Sequence, residues 1–164
     1  MVKLKPQTQR LLLVTAVTLI VIGIALPQAH GRSRAPALPR GALAGRTVTL
    51  ASLRGHPVAI AFFAHWCRDC HTEAAALARF SAQSGAGRVI GIAYDDARDA
   101  AIAFARSYAW SFPLLDDPTG SVGAAYGISK LPTTVIVNSR GEIVARSFGP
   151  ETVSRLASEL RAAG

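Results

Sequence analysis

Phe62-Phe63-Ala64-His65-Trp66-Cys67-Arg68-Asp69-Cys70-His71, FFAHWCRDCH in one-letter code, is the stretch whose reading decides the fold. Its last five residues form a Cys-x-x-Cys-His string, the pattern by which a chain attaches a c-type haem. Its first nine are an apolar run closing in Trp-Cys-x-x-Cys, the pattern of a redox dithiol. Haem iron needs axial ligands. His71 offers one, but the only methionine is Met1, so the second would fall to His30, His56 or His65. A zinc half-site from the two cysteines with His65, His71 and Asp69 lacks a second thiol pair, because the chain has only two cysteines.

The neighbouring sequence favours the dithiol. Pro57 to Trp66 is a continuous apolar run with aromatic and β-branched residues, as expected of a strand buried on both faces. It delivers Cys67 to the start of a helix over Asp69 to Ser84, where Ala74, Leu77, Ala78 and Ser81 fall on one stripe and Gly85 stands ready as a C-cap. A cysteine in the first turn sits in the field of the helix N-terminus, which stabilises thiolate over thiol. Cys70, one turn on, can attack a mixed disulfide formed at Cys67 and release the product. Arg68 adds positive charge beside the thiolate, and Asp69 opposes it. This exchange requires no metal and no organic cofactor.

Further out the pattern alternates. RVIGIAYDD reads as a short strand, with Asp95 or Asp96 capping a helix in which Ala101, Phe104, Ala105 and Tyr108 recur at helical spacing. FPLLDD reads as a short edge segment and SVGAAYGI as a helical turn or two. TTVIVNSRGEIVARSF reads as two strands joined through Asn138-Ser139-Arg140-Gly141. Glu151 to Ala163 carries Val153, Leu156, Ala157 and Leu160 on one helical face. The implied class is α/β: a central mixed sheet flanked by helices on both faces.

Bulk composition bounds the rest. The 164 residues, half of them hydrophobic, suit one compact domain with a short appendage. Formal net charge is +8, yet residues 1–40 hold six basic residues and no acid, leaving the remainder near balance with no dense basic stripe. Nucleic-acid binding is therefore a poor reading. After Lys3, Lys5 and Arg10 comes LLLVTAVTLIVIGIAL, sixteen uncharged residues from Leu11 to Leu26. As a helix it would be ~24 Å long, short of the ~30 Å hydrocarbon core unless flanking residues extend it. Pro27 and Ala29 make a poor cleavage site, so an uncleaved membrane anchor is favoured over a cleaved signal peptide. Residues 1–30 are thus expected to be anchor or signal, and 31–45, rich in Pro, Gly and Arg, a linker. Residues 46–164 are expected to be the domain, carried on the extracytoplasmic side or released there if the segment is cleaved. Nothing speaks to oligomeric state, and a monomer is the default.

From Gly45 to Ala163 the chain resembles the thioredoxin superfamily, and most closely its membrane-anchored TlpA/ResA-like branch, which includes the DsbE/CcmG proteins of cytochrome c maturation. FFAHWCRDC, the following HTE, and YGISKLPTTVIVNSRGEIV carry the resemblance. It implies a thioredoxin-like fold in which Cys67 and Cys70 are the catalytic dithiol and Glu73 is a partly buried acid assisting thiol chemistry. Pro132 matches the family's cis-proline, which lies against the cysteines. Trp66, Leu131 and Thr133 would then line the substrate groove. The resemblance implies reduction of disulfides in protein substrates, apocytochrome Cys-x-x-Cys-His pairs among them, with electrons from a membrane thiol relay. Rival readings are a disulfide-donating oxidase of exported proteins, a peroxiredoxin-like peroxidase and a haem-binding electron carrier. The peroxidase is weakened because Ala64 stands where that family has threonine. Asp69 and Ala75 replace prolines common in the branch, which leaves the reduction potential open.

Overall fold

A computed structural model of the chain describes residues 33–84 and 88–164. The expected anchor and Gly85 lie outside the described residues. In chain order the elements are β1 (Ser33–Arg34), β2 (Gly41–Ala44), β3 (Val58–Phe63), α1 (Arg68–Ser84), β4 (Val89–Tyr94), α2 (Arg98–Ser107), β5 (Leu114–Asp117), α3 (Ser121–Ala125), β6 (Thr133–Val137), β7 (Glu142–Phe148) and α4 (Val153–Ala162), with a short 3-10 turn at Ala51–Leu53. The strands form one mixed sheet in the order β1-β7-β6-β3-β4-β5-β2. The expected α/β class with a central mixed sheet is what the chain adopts. Among the described residues, no helix is long and apolar enough to cross a membrane.

β3 lies at the centre, parallel to β4 and antiparallel to β6, and all six of its residues are buried. Alternation along the strand divides the core in two. Ala59, Ala61 and Phe63 join Leu77, Phe80, Phe104, Leu156 and Leu160, which come from α1, α2 and α4. Val58, Ile60 and Phe62 join Leu38, Val48, Tyr126 and Ile128 on the opposite face. Crossovers β3–α1–β4 and β4–α2–β5 advance across the sheet in the same direction, so a constant right-handed connection places both helices on one face. The other face is covered more thinly, by α3 and the irregular chain between β1 and β3.

Two expectations about the chain's edges do not hold. The Pro- and Gly-rich segment expected to be a linker supplies two strands: β1 pairs with β7, and β2 pairs with β5. Ala35, Leu38 and Leu43 from the same segment are buried. Such edge pairing is made by backbone groups and leaves little periodicity in the side chains. As a result FPLLDD is not an edge: β5 lies between β4 and β2.

Capping residues explain the other boundaries. Asp117 is buried and accepts the Val122 and Gly123 N–H groups at 3.1 and 2.8 Å, fixing the start of α3. Asn138 Oδ1 accepts the N–H groups of Arg140 and Glu142 at 3.0 and 2.9 Å, and Gly141 supplies the positive φ of 82° that closes the β6–β7 hairpin. Thr152 is the N-cap of α4, its hydroxyl accepting Arg155 N–H at 3.2 Å, so that helix begins at Val153 and not at Glu151.

Candidate active site

The site is assembled where β3 ends and β6 begins. These strands are antiparallel, with Phe62 opposite Thr133, so the residues after Phe63 and those before Thr133 emerge at the same end of the sheet. Ala64 O accepts the Cys67 N–H at 3.2 Å, a tight turn that presents Cys67 just ahead of α1. Cys67 and Cys70 are joined by a disulfide, with a Cα–Cα distance of 5.3 Å. The Cys70 N–H points at Cys67 Sγ at 3.2 Å. That donor, which Cys67 O also accepts at 3.1 Å, lies in the first turn of α1 and would stabilise a thiolate on Cys67 once the bond is reduced. Both sulfurs are spent on each other here. Both ring nitrogens of His71 are also engaged, by Tyr108 OH at 2.9 Å and His65 O at 3.0 Å.

Glu73 follows Cys70 by three residues and so lies on the same helical face. It is 1 % exposed, more deeply set than the partly buried acid that the resemblance implies. Its Oε1 accepts the Thr134 hydroxyl of β6 at 3.2 Å. Burial pushes the carboxyl up to about 7; the Thr134 hydrogen bond opposes the rise, the charge of Glu151 adds to it, and a backbone hydrogen bond at Glu151 opposes it again. Glu73 can therefore take up or give up a proton near neutral pH.

The Leu131–Pro132 peptide is cis. Leu131 is partly buried and packs against both halves of the core. Thr133 is fully buried, its hydroxyl donating to Lys130 O at 2.7 Å, so its side chain does not line a surface groove. Trp66 is 56 % exposed beside Cys67.

Several residues at the site were not singled out by sequence reasoning. Asp95 and Asp96 were expected to cap α2, whose N-cap is Ala97. Asp96 accepts the Ala97 N–H, but it also accepts the His65 backbone N–H at 2.7 Å and bonds the His65 ring. Asp95, with a positive φ of 47°, turns its carbonyl toward Trp66 Nε1 at 3.2 Å. The β4–α2 loop thus holds the two residues preceding Cys67. Phe148, 48 % exposed, pairs in register with Thr133 and lies beneath Lys130 Nζ at 4.8 Å. A spacing rule would not have found Thr134, Glu151 or Asp96, which reach the site from other strands and loops.

A disulfide between Cys-x-x-Cys partners at a strand-to-helix turn, a buried acid one turn behind it and a cis-proline at the neighbouring strand define the class: thiol-disulfide oxidoreductases of thioredoxin-like fold. The chain belongs to the AhpC/TSA family, whose profile matches residues 32–146. It is 29 % identical over 116 residues to the thiol-disulfide oxidoreductase ResA of Bacillus subtilis, covering 68 % of this chain and 64 % of that protein. It is 33 % identical over 129 residues to a DsbE homologue, a thiol:disulfide interchange protein of Paracoccus denitrificans, covering 77 % of this chain and 70 % of that protein. The fold matches that of the DsbE structure from Chlorobium tepidum with a TM-score of 0.71 at 23 % identity, over 80 % of this chain and 96 % of that one.

Proposed function

We propose that the chain is an extracytoplasmic, membrane-tethered reductant of protein disulfides, tethered by its apolar N-terminal segment and recharged by a membrane thiol relay. The observation that carries the proposal is the buried Glu73 behind the Cys67–Cys70 pair, with a pKa pushed to about 7. In the reduced state the Cys67 thiolate attacks one sulfur of a substrate disulfide, releasing the other as a thiol. Glu73 accepts the Cys70 proton, and Cys70 attacks Cys67, closing the protein disulfide and releasing the second substrate thiol. Two electrons pass from the protein dithiol to the substrate, and two protons accompany them. Trp66 and the Leu131-Pro132 turn flank the reacting sulfurs and form the docking surface. Apocytochrome Cys-x-x-Cys-His pairs are the proposed substrates, as the resemblance to the TlpA/ResA-like branch implies; the named relatives support disulfide exchange itself.

The deciding experiment is the reduction potential of the Cys67/Cys70 couple, read by thiol trapping in graded redox buffers. A value near or below about −250 mV is expected of a reductant, whereas one near about −120 mV would make the protein a disulfide donor.

A further inference from the structure

One buried acid has no task in the exchange as described. Glu151, just ahead of α4, is 3 % exposed, and neither carboxylate oxygen has a hydrogen-bond partner. Its nearest cation is Arg155 Nε at 3.5 Å, which is closer to Glu159, at 3.1 Å. The Ser147 hydroxyl of β7 donates to Glu159 at 2.8 Å. Burial and the Glu159 charge push the Glu151 pKa up, and the pulls of Ser147, Arg155 and the Thr152 backbone only partly oppose that rise. Buried carboxylates are ordinarily satisfied, because an unpaired one loses its hydration without return. Glu151 is therefore held where taking up a proton relieves it, and burial raises its pKa accordingly.

Its position supplies a use. On one side the backbone of Glu151 bonds the Glu73 carboxyl, and the two side chains repel when both are charged. On the other side Glu151 lines an open groove of about 620 Å³ between α1 and α4, with Thr72, Ala76 and Arg79 on one wall and Val153 and Ala157 on the other. Glu73 does not line that groove. Glu151 stands between the buried acid and solvent.

We propose that Glu151 is a positioning residue acting through Glu73: the two carboxyls hold one proton between them and exchange it with water in the α1–α4 groove. The proposal rests on Glu73 being the acid that serves Cys70. Cys70 thiol and Glu73 carboxylate give Cys70 thiolate and Glu73 carboxylic acid. The proton then moves to Glu151 and on to water, and nothing is oxidised or reduced in these steps. The groups that face the pair are the Thr134 hydroxyl from β6, Ser147 from β7, Arg155 and Glu159 from α4, and Arg79 on the groove wall of α1.

The test is the rate of disulfide exchange of the full reduced chain with a small aromatic disulfide, followed from about pH 5 to 9. Glu73→Gln is expected to erase the step near neutrality. Glu151→Gln is expected to keep the step but move its midpoint toward acid by about half a unit or more, because the repelling charge is gone. Glu151→Asp should return the midpoint toward that of the parent. If Glu73→Gln leaves the parent profile intact, the role of Glu73 itself falls. If Glu73→Gln erases the step while the Glu151→Gln profile superimposes on the parent's, the coupling is overturned and the role of Glu73 survives. Carboxyl ¹³C titration of the unsubstituted chain needs no variant: two coupled steps seen at both residues are expected, and independent single steps would overturn the pair.

Discussion

The raised pKa of Glu73 costs stability as pH rises, and the sign of that cost can be measured. Its folded pKa of about 7 lies above the ordinary value of 4.5. The folded state therefore favours the protonated acid, and stability drains away as pH rises from the unfolded value through the folded one. Glu73→Gln, which cannot ionise, should escape that loss. Relative to the parent it is expected to gain about 2 to 3 kcal/mol between pH 5 and pH 8, read from urea unfolding at each pH. An equal difference at both pH values would mean that Glu73 is not raised. Asp96 shows the opposite economy. It accepts two backbone N–H groups and bonds the His65 ring, so Asp96→Ala orphans donors at the turn that presents Cys67. A loss of about 1 to 3 kcal/mol is expected in thermal unfolding of the oxidised chain, with Asp96→Asn keeping part of it. Glu73 was reached through the resemblance to the TlpA/ResA-like branch, whose glutamate three places after the second cysteine it matches. Asp95 or Asp96 read as a helix cap, because a cap and a loop anchor look alike until the fold brings residues 65 and 96 together.

The elements most legible in the sequence were those whose burial is written in their own period. β3 was evident as an unbroken apolar run, and α4 from Leu156 and Leu160, both buried as their spacing required. β1 and β2 were not, since a strand of two or four residues pairs by backbone and shows no period of its own. Their contribution is nevertheless structural. A chain beginning at Arg46 would lose both edge strands and the burial of Leu38 and Leu43. At about 1.5–3 kcal/mol per fully buried leucine, it should unfold at markedly lower urea than one beginning at Gly31, by a margin on the order of 4 kcal/mol. Equal midpoints would return the segment to the status of a linker. Phe104 of α2 makes a similar point from inside the core: its ring stacks on Phe63 and meets His71, Tyr108 and Trp110. Its helical spacing predicted burial, but not that it would brace a residue of the active-site helix. Phe104→Ala is expected to cost about 3–5 kcal/mol in unfolding, and to slow disulfide exchange as His71 loses its support.

For the whole molecule, the disulfide, the buried acid and the fold's stability are one linked system. A protein that readily gives up electrons is one whose folded state favours the disulfide over the dithiol, and by thermodynamic linkage the disulfide must then favour the folded state. Reduction leaves Cys67 and Cys70, 7 % and 2 % exposed, to be accommodated as thiols beside a Glu73 that resists charge. Deprotonating both Cys67 and Glu73 would place two negative charges in one buried pocket, which favours closing the sulfur bond again. The oxidised chain is therefore expected to unfold at a higher temperature than the reduced one, by roughly 3–6 °C for each kcal/mol of linkage. Paired melting curves with and without a non-thiol reductant measure this without reference to any substrate. The reverse order, with the reduced chain the more stable, is the behaviour of a disulfide donor, and it would turn the proposed direction of electron flow around while leaving the chemistry at Cys67 and Cys70 in place.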